Sequence, residues 1–203
     1  MRYVMFACSA VAVLSAMPAT AAYHLMTSGT PEYVAKSGLS VTPSQDWNRL
    51  GSRPGRNAES WTLDGLALND MTFYGGIGND ETLFRDAQKK DMPLPHFSST
   101  MLAPDVAQLF EGSYRVANNT TLMSVDSIEP AQVGDQKGFR FTYSFTKQDE
   151  EVKRKGEALG AIVGGKLYLL TFEAPAIFYF DRDIASARAL MTSAKIGPAP
   201  KSN

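Results

Sequence analysis

The stretch from Ala161 to Ile196 constrains the fold most, because it contains a strand that needs cover on both faces. Within Lys166–Phe172, Leu167, Leu169 and Thr171 point one way and Tyr168, Leu170 and Phe172 the other. Both sets are largely apolar, and a strand with no wet face belongs inside a sheet with layers on either side. Gly164-Gly165 just before it supplies the positive φ angles of a two-residue hairpin, tying it antiparallel to the preceding strand. Pro175 ends the strand. Phe180, Ile184, Ala187 and Met191 then recur at helical spacing, predicting a closing helix through Ile196.

The rest of the chain reads as partners for this hub. Residues 152–163 form the other hairpin arm, with Gly156, Ala158 and Gly160 sharing a face that admits a close neighbour or marks a bulge. Gly138–Thr146 alternates Phe139, Phe141, Tyr143 and Phe145 with polar residues, so one face is buried and the other wetter. Thr120–Ile128 is a further strand, and Lys147–Glu151 a charged turn. Within Ser98–Asn118 a helix is expected. Pro104 suits its first turn, Asp105 its positive end, and Val106, Leu109, Phe110 and Tyr114 share one face. Asp64-Gly65 signals a tight hairpin between arms Glu59–Leu63 and Leu66–Gly75. Leu83–Lys90 offers a short helix, and Gly38–Thr42 the first strand.

Composition bounds compartment more than activity. The 203 residues are 44% hydrophobic and 20% charged, with a formal net charge of -1, as in one ordinary globular domain. That balance argues against a nucleic-acid binder, which carries a basic excess. Arg2, the apolar run Tyr3–Met17 and Ala19-Thr20-Ala21 together form an export signal, so residues 1–22 are expected to be removed. No later stretch is long and apolar enough to span a bilayer. Cys8 is the sole cysteine, and Phe6 is too bulky for the lipid-attachment pattern, so lipid anchoring is disfavoured. Three further segments are expected: a flexible arm over 23–37, one domain over 38–196, and a disordered tail over 197–203.

The segment Gly165–Phe172, then Phe178–Phe180 and a helix ending Met191-Thr192-Ser193-Ala194-Lys195, resembles the C-terminal part of PsbP-like and DcrB-type domains. Val41-Thr42-Pro43, with Trp47 close behind, resembles their start. The resemblance implies an α+β fold, an α/β/α sandwich around an antiparallel sheet, and an exported accessory or binding role. It carries no site motif onto particular residues here.

No catalytic constellation stands out. The nucleophile elbow Gly-x-Ser-x-Gly is absent, and the only histidines are His24 and His96. Without a cysteine or histidine cluster no metal site is expected, and no cofactor is implied. Gly75-Gly76-Ile77-Gly78 lacks the rest of a phosphate loop and reads as the end of a hairpin. Asp181 and Asp183 suit helix capping. Lys153, Arg154 and Lys155 read as an edge-strand face or a docking patch. Among the aromatic residues, Trp61 and Tyr74, on opposite hairpin arms, are best placed to reach a surface and meet a small apolar ligand.

The candidate binding residues are therefore Trp61, Tyr74, His96, Lys153, Arg154 and Lys155. The function expected is an exported, non-catalytic binding or accessory protein of the periplasm or cell envelope, with an envelope protein or small ligand as partner. The alternatives are an exported hydrolase with a dispersed site around His96 and a structural envelope component.

Overall fold

A computed structural model describes residues 23–85, 92–120, 122–148 and 150–200; residues 1–22, expected to be an export signal, lie outside them. The elements run β1 Tyr23–Met26, β2 Glu32–Tyr33, β3 Leu39–Val41, β4 Trp47–Leu50, β5 Ala58–Thr62 and β6 Asp70–Ile77, then α1 Ala103–Ala117. After them come β7 Leu122–Val133, β8 Gln136–Thr146, β9 Lys153–Val163, β10 Lys166–Pro175, α2 Tyr179–Thr192 and β11 Lys195–Ile196. Eight strands make one antiparallel sheet in the order β1-β4-β5-β6-β10-β9-β8-β7. The hub strand β10 sits inside it between β6 and β9, as its two apolar faces require.

The helices cover opposite faces. Leu167 and Leu169 pack with Val106, Leu109, Phe110 and Tyr114 of α1, whereas Leu170 and Phe172 pack with Ala187, Leu190 and Met191 of α2. The second face also carries a three-stranded sheet, β11-β3-β2, whose Leu39 and Val41 join the α2-side core. The chain is thus a single α+β domain, an α/β/α sandwich around an antiparallel sheet.

Several local expectations need correction. Tyr23–Met26 is not a loose arm but pairs with β4, and Val34 and Ala35 are buried. Gly38–Thr42 gives β3, which belongs to the small sheet, and the closing helix stops at Thr192 so that Lys195–Ile196 can pair with β3. The backbone N–H of Gly197 donates to the Gly38 carbonyl at 2.9 Å, tying the start of the tail. The Asp64-Gly65 turn is not tight: β5 ends at Thr62 and β6 starts at Asp70. Asn69 organises that longer loop, its Oδ1 accepting from Leu63 N–H and the Thr62 hydroxyl, both at 2.7 Å. Of the expected helix Leu83–Lys90, residues 83–85 are described and are not helical. Finally, β9 is an interior strand, so Lys153–Lys155 do not lie on a sheet edge.

Candidate functional site

The α1-facing side of the sheet is built in rows set by strand register. One row runs Phe139, Gly160, Leu169, Tyr74 and Ala58, and the next Phe141, Ala158, Thr171, Thr72 and Ser60. The row after that is Tyr143, Gly156, Glu173 and Asp70. Along β6 and β10 the face therefore changes from apolar to hydroxyl to carboxylate within five residues of each strand. The small-residue stripe of β9 is what makes this work. A Cβ on Gly156 would sit 2.0 Å from Tyr143 Cζ, so only glycine lets that ring lie across β9 toward Glu173. What covers the stripe is an aromatic ring of the neighbouring strand, not a helix or another backbone.

Where the apolar rows end, a cavity of about 440 Å³ opens between the sheet and the C-terminal half of α1. Its floor carries Asp70, Glu173, Thr72, Thr171 and Ser60; Leu66, Phe84 and Leu94 contribute apolar wall, and Arg53 and Lys147 also line it. Tyr114 of α1 donates to Glu173 Oε1 at 2.8 Å, and Tyr143 donates to Oε2 at 3.4 Å. Thr72 donates to Asp70 Oδ1 at 2.8 Å. The Thr72 and Ser60 hydroxyls lie 2.5 Å apart, and Ser60 also hydrogen-bonds to the Asp70 carboxyl.

Asp70 and Glu173 face each other directly across two antiparallel strands. Burial raises both carboxyls, Asp70 to about 6 and Glu173 to about 7, and the Asp70 charge pushes Glu173 further up. The hydrogen bonds from Thr72 and Ser60 to Asp70, that from Tyr114 to Glu173, and the charges of Lys147 and Arg154 work in the opposite direction. The two titrate as a pair that holds a proton near neutral pH. Burial, followed by the nearby carboxylates, holds the phenols of Tyr74, Tyr114 and Tyr143 well above their usual range, so they remain donors. Arg154 is itself buried; its Nη1 donates to the Ala67 carbonyl at 2.9 Å and its guanidinium lies 5.9 Å from the Phe145 ring centre.

The residues picked from sequence do not converge. Trp61 and Tyr74 are both buried, and on opposite faces: Trp61 in the α2-side core, Tyr74 in the α1-side core and on the cavity wall. Neither reaches an open surface, because adjacent strand positions alternate in face. His96 is half exposed on a loop, its Nδ1 at 2.8 Å from the Asp80 carbonyl and 3.1 Å from Asp80 Oδ1, and it does not line the cavity. Lys153 and Lys155 are exposed, with Lys155 Nζ 5.8 Å from the Phe180 ring on the α2 side. Arg154 between them points to the other face, so the three make no common patch. Asp183 does not cap α2; its carboxylate receives Arg182 and the Asn69 amide instead. The residues missed were Asp70 and Glu173. Glu173 continues the face of Leu167, Leu169 and Thr171, which marks it as a buried carboxylate, but its partner follows only from the non-local pairing of β10 with β6.

No protein-family model matches the chain, and no curated protein matches it in sequence. Its fold is similar to the solution structure of cyanobacterial PsbP (CyanoP) from Synechocystis sp. PCC 6803, with a TM-score of 0.54 at 14% identity over 91% of this chain and 99% of that one. The fold is PsbP-like. At this identity the likeness extends to architecture alone. A Bacteroides thetaiotaomicron protein overlaps with a TM-score of 0.47 at 9% identity, over 82% of this chain and 48% of that one. LpqN, involved in cell envelope biogenesis of Mycobacterium tuberculosis, overlaps at 0.35 and 9%, over 89% and 87%. Both overlaps are too loose to carry an argument. Among the described residues no helix is long and apolar enough to cross a membrane, and no group of three or more metal-ligating side chains is present.

Proposed function

We propose that the chain is an exported, non-catalytic binding or accessory protein of the periplasm or cell envelope, and that the cavity beneath α1 is its ligand site. Export is supported by Arg2, the apolar run Tyr3–Met17 and the small residues at 19–21. The observation that carries the binding reading is the cavity itself. It has the volume of a small-molecule site, apolar walls, and a few polar groups converging from three strands and one helix. A wholly apolar ligand, the class expected from the aromatic residues, would desolvate the floor carboxyls further without offering them a hydrogen bond, at a cost of a few kcal/mol. The ligand is therefore polar at its inner end. A hydrolase organised by His96 loses its support, because that ring is directed at Asp80 and away from the cavity.

The test is native mass spectrometry of the protein isolated from its own envelope fraction. The expected result is a chain beginning near Tyr23 with one small molecule bound per chain. That molecule should be absent from an Ala117→Trp variant, which narrows the cavity at the end of α1. A chain retaining residues 1–20 refutes export. A wild-type chain that is empty from its own compartment refutes the binding role.

A further inference from the structure

The charges around the cavity specify more than a polar ligand. We propose that it takes a small organic acid, with the anionic group at the wall formed by Arg53 and Arg85, a neutral hydrogen-bonding group at the floor, and an apolar body between them. This rests on the reading of the cavity as a binding site, and it turns on charge balance and on where the cations stand.

The floor is balanced within the protein. Asp70 and Glu173 hold a proton between them near neutral pH, so together they present about one negative charge. Lys147, just past β8, lines the cavity, acts on both carboxyls and alone matches that charge. Arg154, buried nearby, also acts on both and lies 3.9 Å from Glu150. The floor hydroxyls are engaged internally: Ser60 and Thr72 with Asp70, Tyr114 and Tyr143 with Glu173, and Thr171 with Tyr143. A ligand anion placed there would face the remaining carboxylate charge. A neutral group can instead exchange a hydrogen bond with a pair that carries one proton.

The surplus is positive and lies on one wall. The Arg85 backbone N–H donates to the Pro54 carbonyl at 2.9 Å, which sets Arg85 beside the loop that carries Arg53, and both arginines line the cavity. Arg53 lies 3.6 Å from Glu59, but Arg49 lies 4.0 Å from the same carboxylate, which neutralises only one of the two. Arg85 adds its own charge and remains exposed, as a residue at a cavity mouth does. Guanidinium groups grip an oxyanion through charge-assisted hydrogen bonds, so this wall suits a carboxylate. A ligand ammonium would meet cations at both ends of the cavity. A neutral ligand would strip water from the arginines and give them no counter-ion. The rings of Tyr74, Phe84 and Tyr114 form one cluster along the cavity, with Tyr74 to Phe84 at 5.7 Å and Phe84 to Tyr114 at 6.1 Å between centres. They receive the apolar body, and Phe84 brings that surface next to Arg85.

The experiment titrates the 15N-labelled protein with two acids, 4-hydroxybenzoate and 6-hydroxyhexanoate, following backbone amide shifts by NMR. Their amides serve as neutral counterparts and 4-hydroxybenzylamine as the cation. At least one acid should bind about ten-fold or more tightly than its own amide, the margin of one charge-assisted contact, with the amine weakest. The shifts should fall on residues 50–53, on Arg85 and on β6. Arg85→Gln, at an exposed position, should weaken acid binding about ten-fold and close most of the gap between acid and amide. Arg56→Gln, exposed on the same loop as Arg53 but outside the cavity lining, should leave that gap as it was. The acid assignment is overturned if an amide or the amine binds as tightly as the acids, if the two arginine variants behave alike, or if no probe binds. Native mass spectrometry of the protein from its own envelope fraction separates that failure from the larger one. A bound molecule leaves the binding role standing, and an empty chain removes it.

Discussion

Replacing Glu173 by Gln isolates what burial of this carboxylate costs. The group goes from an ordinary 4.5 to about 7 in the folded chain. Folded Glu173 thus holds its proton to higher pH than the unfolded chain does, so between these two values the unfolded state binds fewer protons. Stability therefore falls as pH rises through that window, the reverse of a salt-bridged carboxylate. The difference corresponds to about 3 kcal/mol, fully expressed above pH 8 and almost absent at pH 4. Gln keeps the shape, accepts from Tyr114 through its carbonyl oxygen and can donate its amide to Asp70. Urea unfolding of both proteins at pH 4, 5, 6, 7 and 8 should show curves that nearly coincide at pH 4. By pH 8 the variant should lead by about 2–3 kcal/mol, with unchanged m. Comparing the two proteins cancels every titrating group except Asp70, which is coupled to Glu173. If wild type equals or exceeds the variant at pH 8, the bonds from Tyr114 and Tyr143 and the charges of Lys147 and Arg154 outweigh desolvation, and the reasoning fails.

Gly156→Ala forces a Cβ to 2.0 Å from Tyr143 Cζ; a loss of about 1–3 kcal/mol is expected. Loss of the tyrosine near-ultraviolet signal would show the ring displaced, and an unchanged Tm would show that the ring had room. Leu169→Ala, at a fully buried position of the hub strand, should cost about 2–5 kcal/mol in urea unfolding; a near-neutral result would contradict the central place of β10. His96→Ala should leave stability within about 0.5 kcal/mol and leave ligand retention in native mass spectrometry intact. Loss of the ligand would bring that loop back into the site.

The layers were legible because they depend on local periodicity. The two-sided strand at Lys166–Phe172, the Gly164-Gly165 turn and the alternation of Phe139, Phe141, Tyr143 and Phe145 led to three adjacent strands of the sheet. The face of Val106, Leu109, Phe110 and Tyr114 led to α1. What failed was tertiary in origin. Tyr23–Met26 carries no apolar alternation and is exposed except for Met26, and it is a strand only because β4 offers it an edge. Trp61 and Tyr74 occupy opposite arms of a single hairpin, yet the loop is longer than the Asp64-Gly65 signal allows. The register then pairs Trp61 with Met71 and places Tyr74 opposite Ala58 on the other face. The site was invisible for the same reason, since Asp70 and Glu173 are more than a hundred residues apart and meet only in the β6–β10 register.

The energetic logic of that row bears on its purpose. A buried glutamate whose burial outweighs its partners weakens the fold at neutral pH, and Gln, Leu or Met at the same place would serve packing better. The surroundings nevertheless accommodate it: Gly156 clears space for the Tyr143 ring, Tyr114 reaches from α1, and Arg154 is buried nearby. Elsewhere the chain handles a buried carboxylate differently. Glu157, on the opposite face of β9, takes a two-nitrogen grip from Arg188 at 3.0 and 2.6 Å and has Arg140 at 3.3 Å. Glu173 receives only neutral phenols in direct contact, and Asp70 only the neutral hydroxyls of Thr72 and Ser60. A carboxylate held for structure is matched to a cation within the protein, whereas this pair is met in direct contact only by neutral hydroxyl groups on the cavity floor. That contrast within one sheet sets the site apart from structural ion pairing and connects it to whatever enters the cavity.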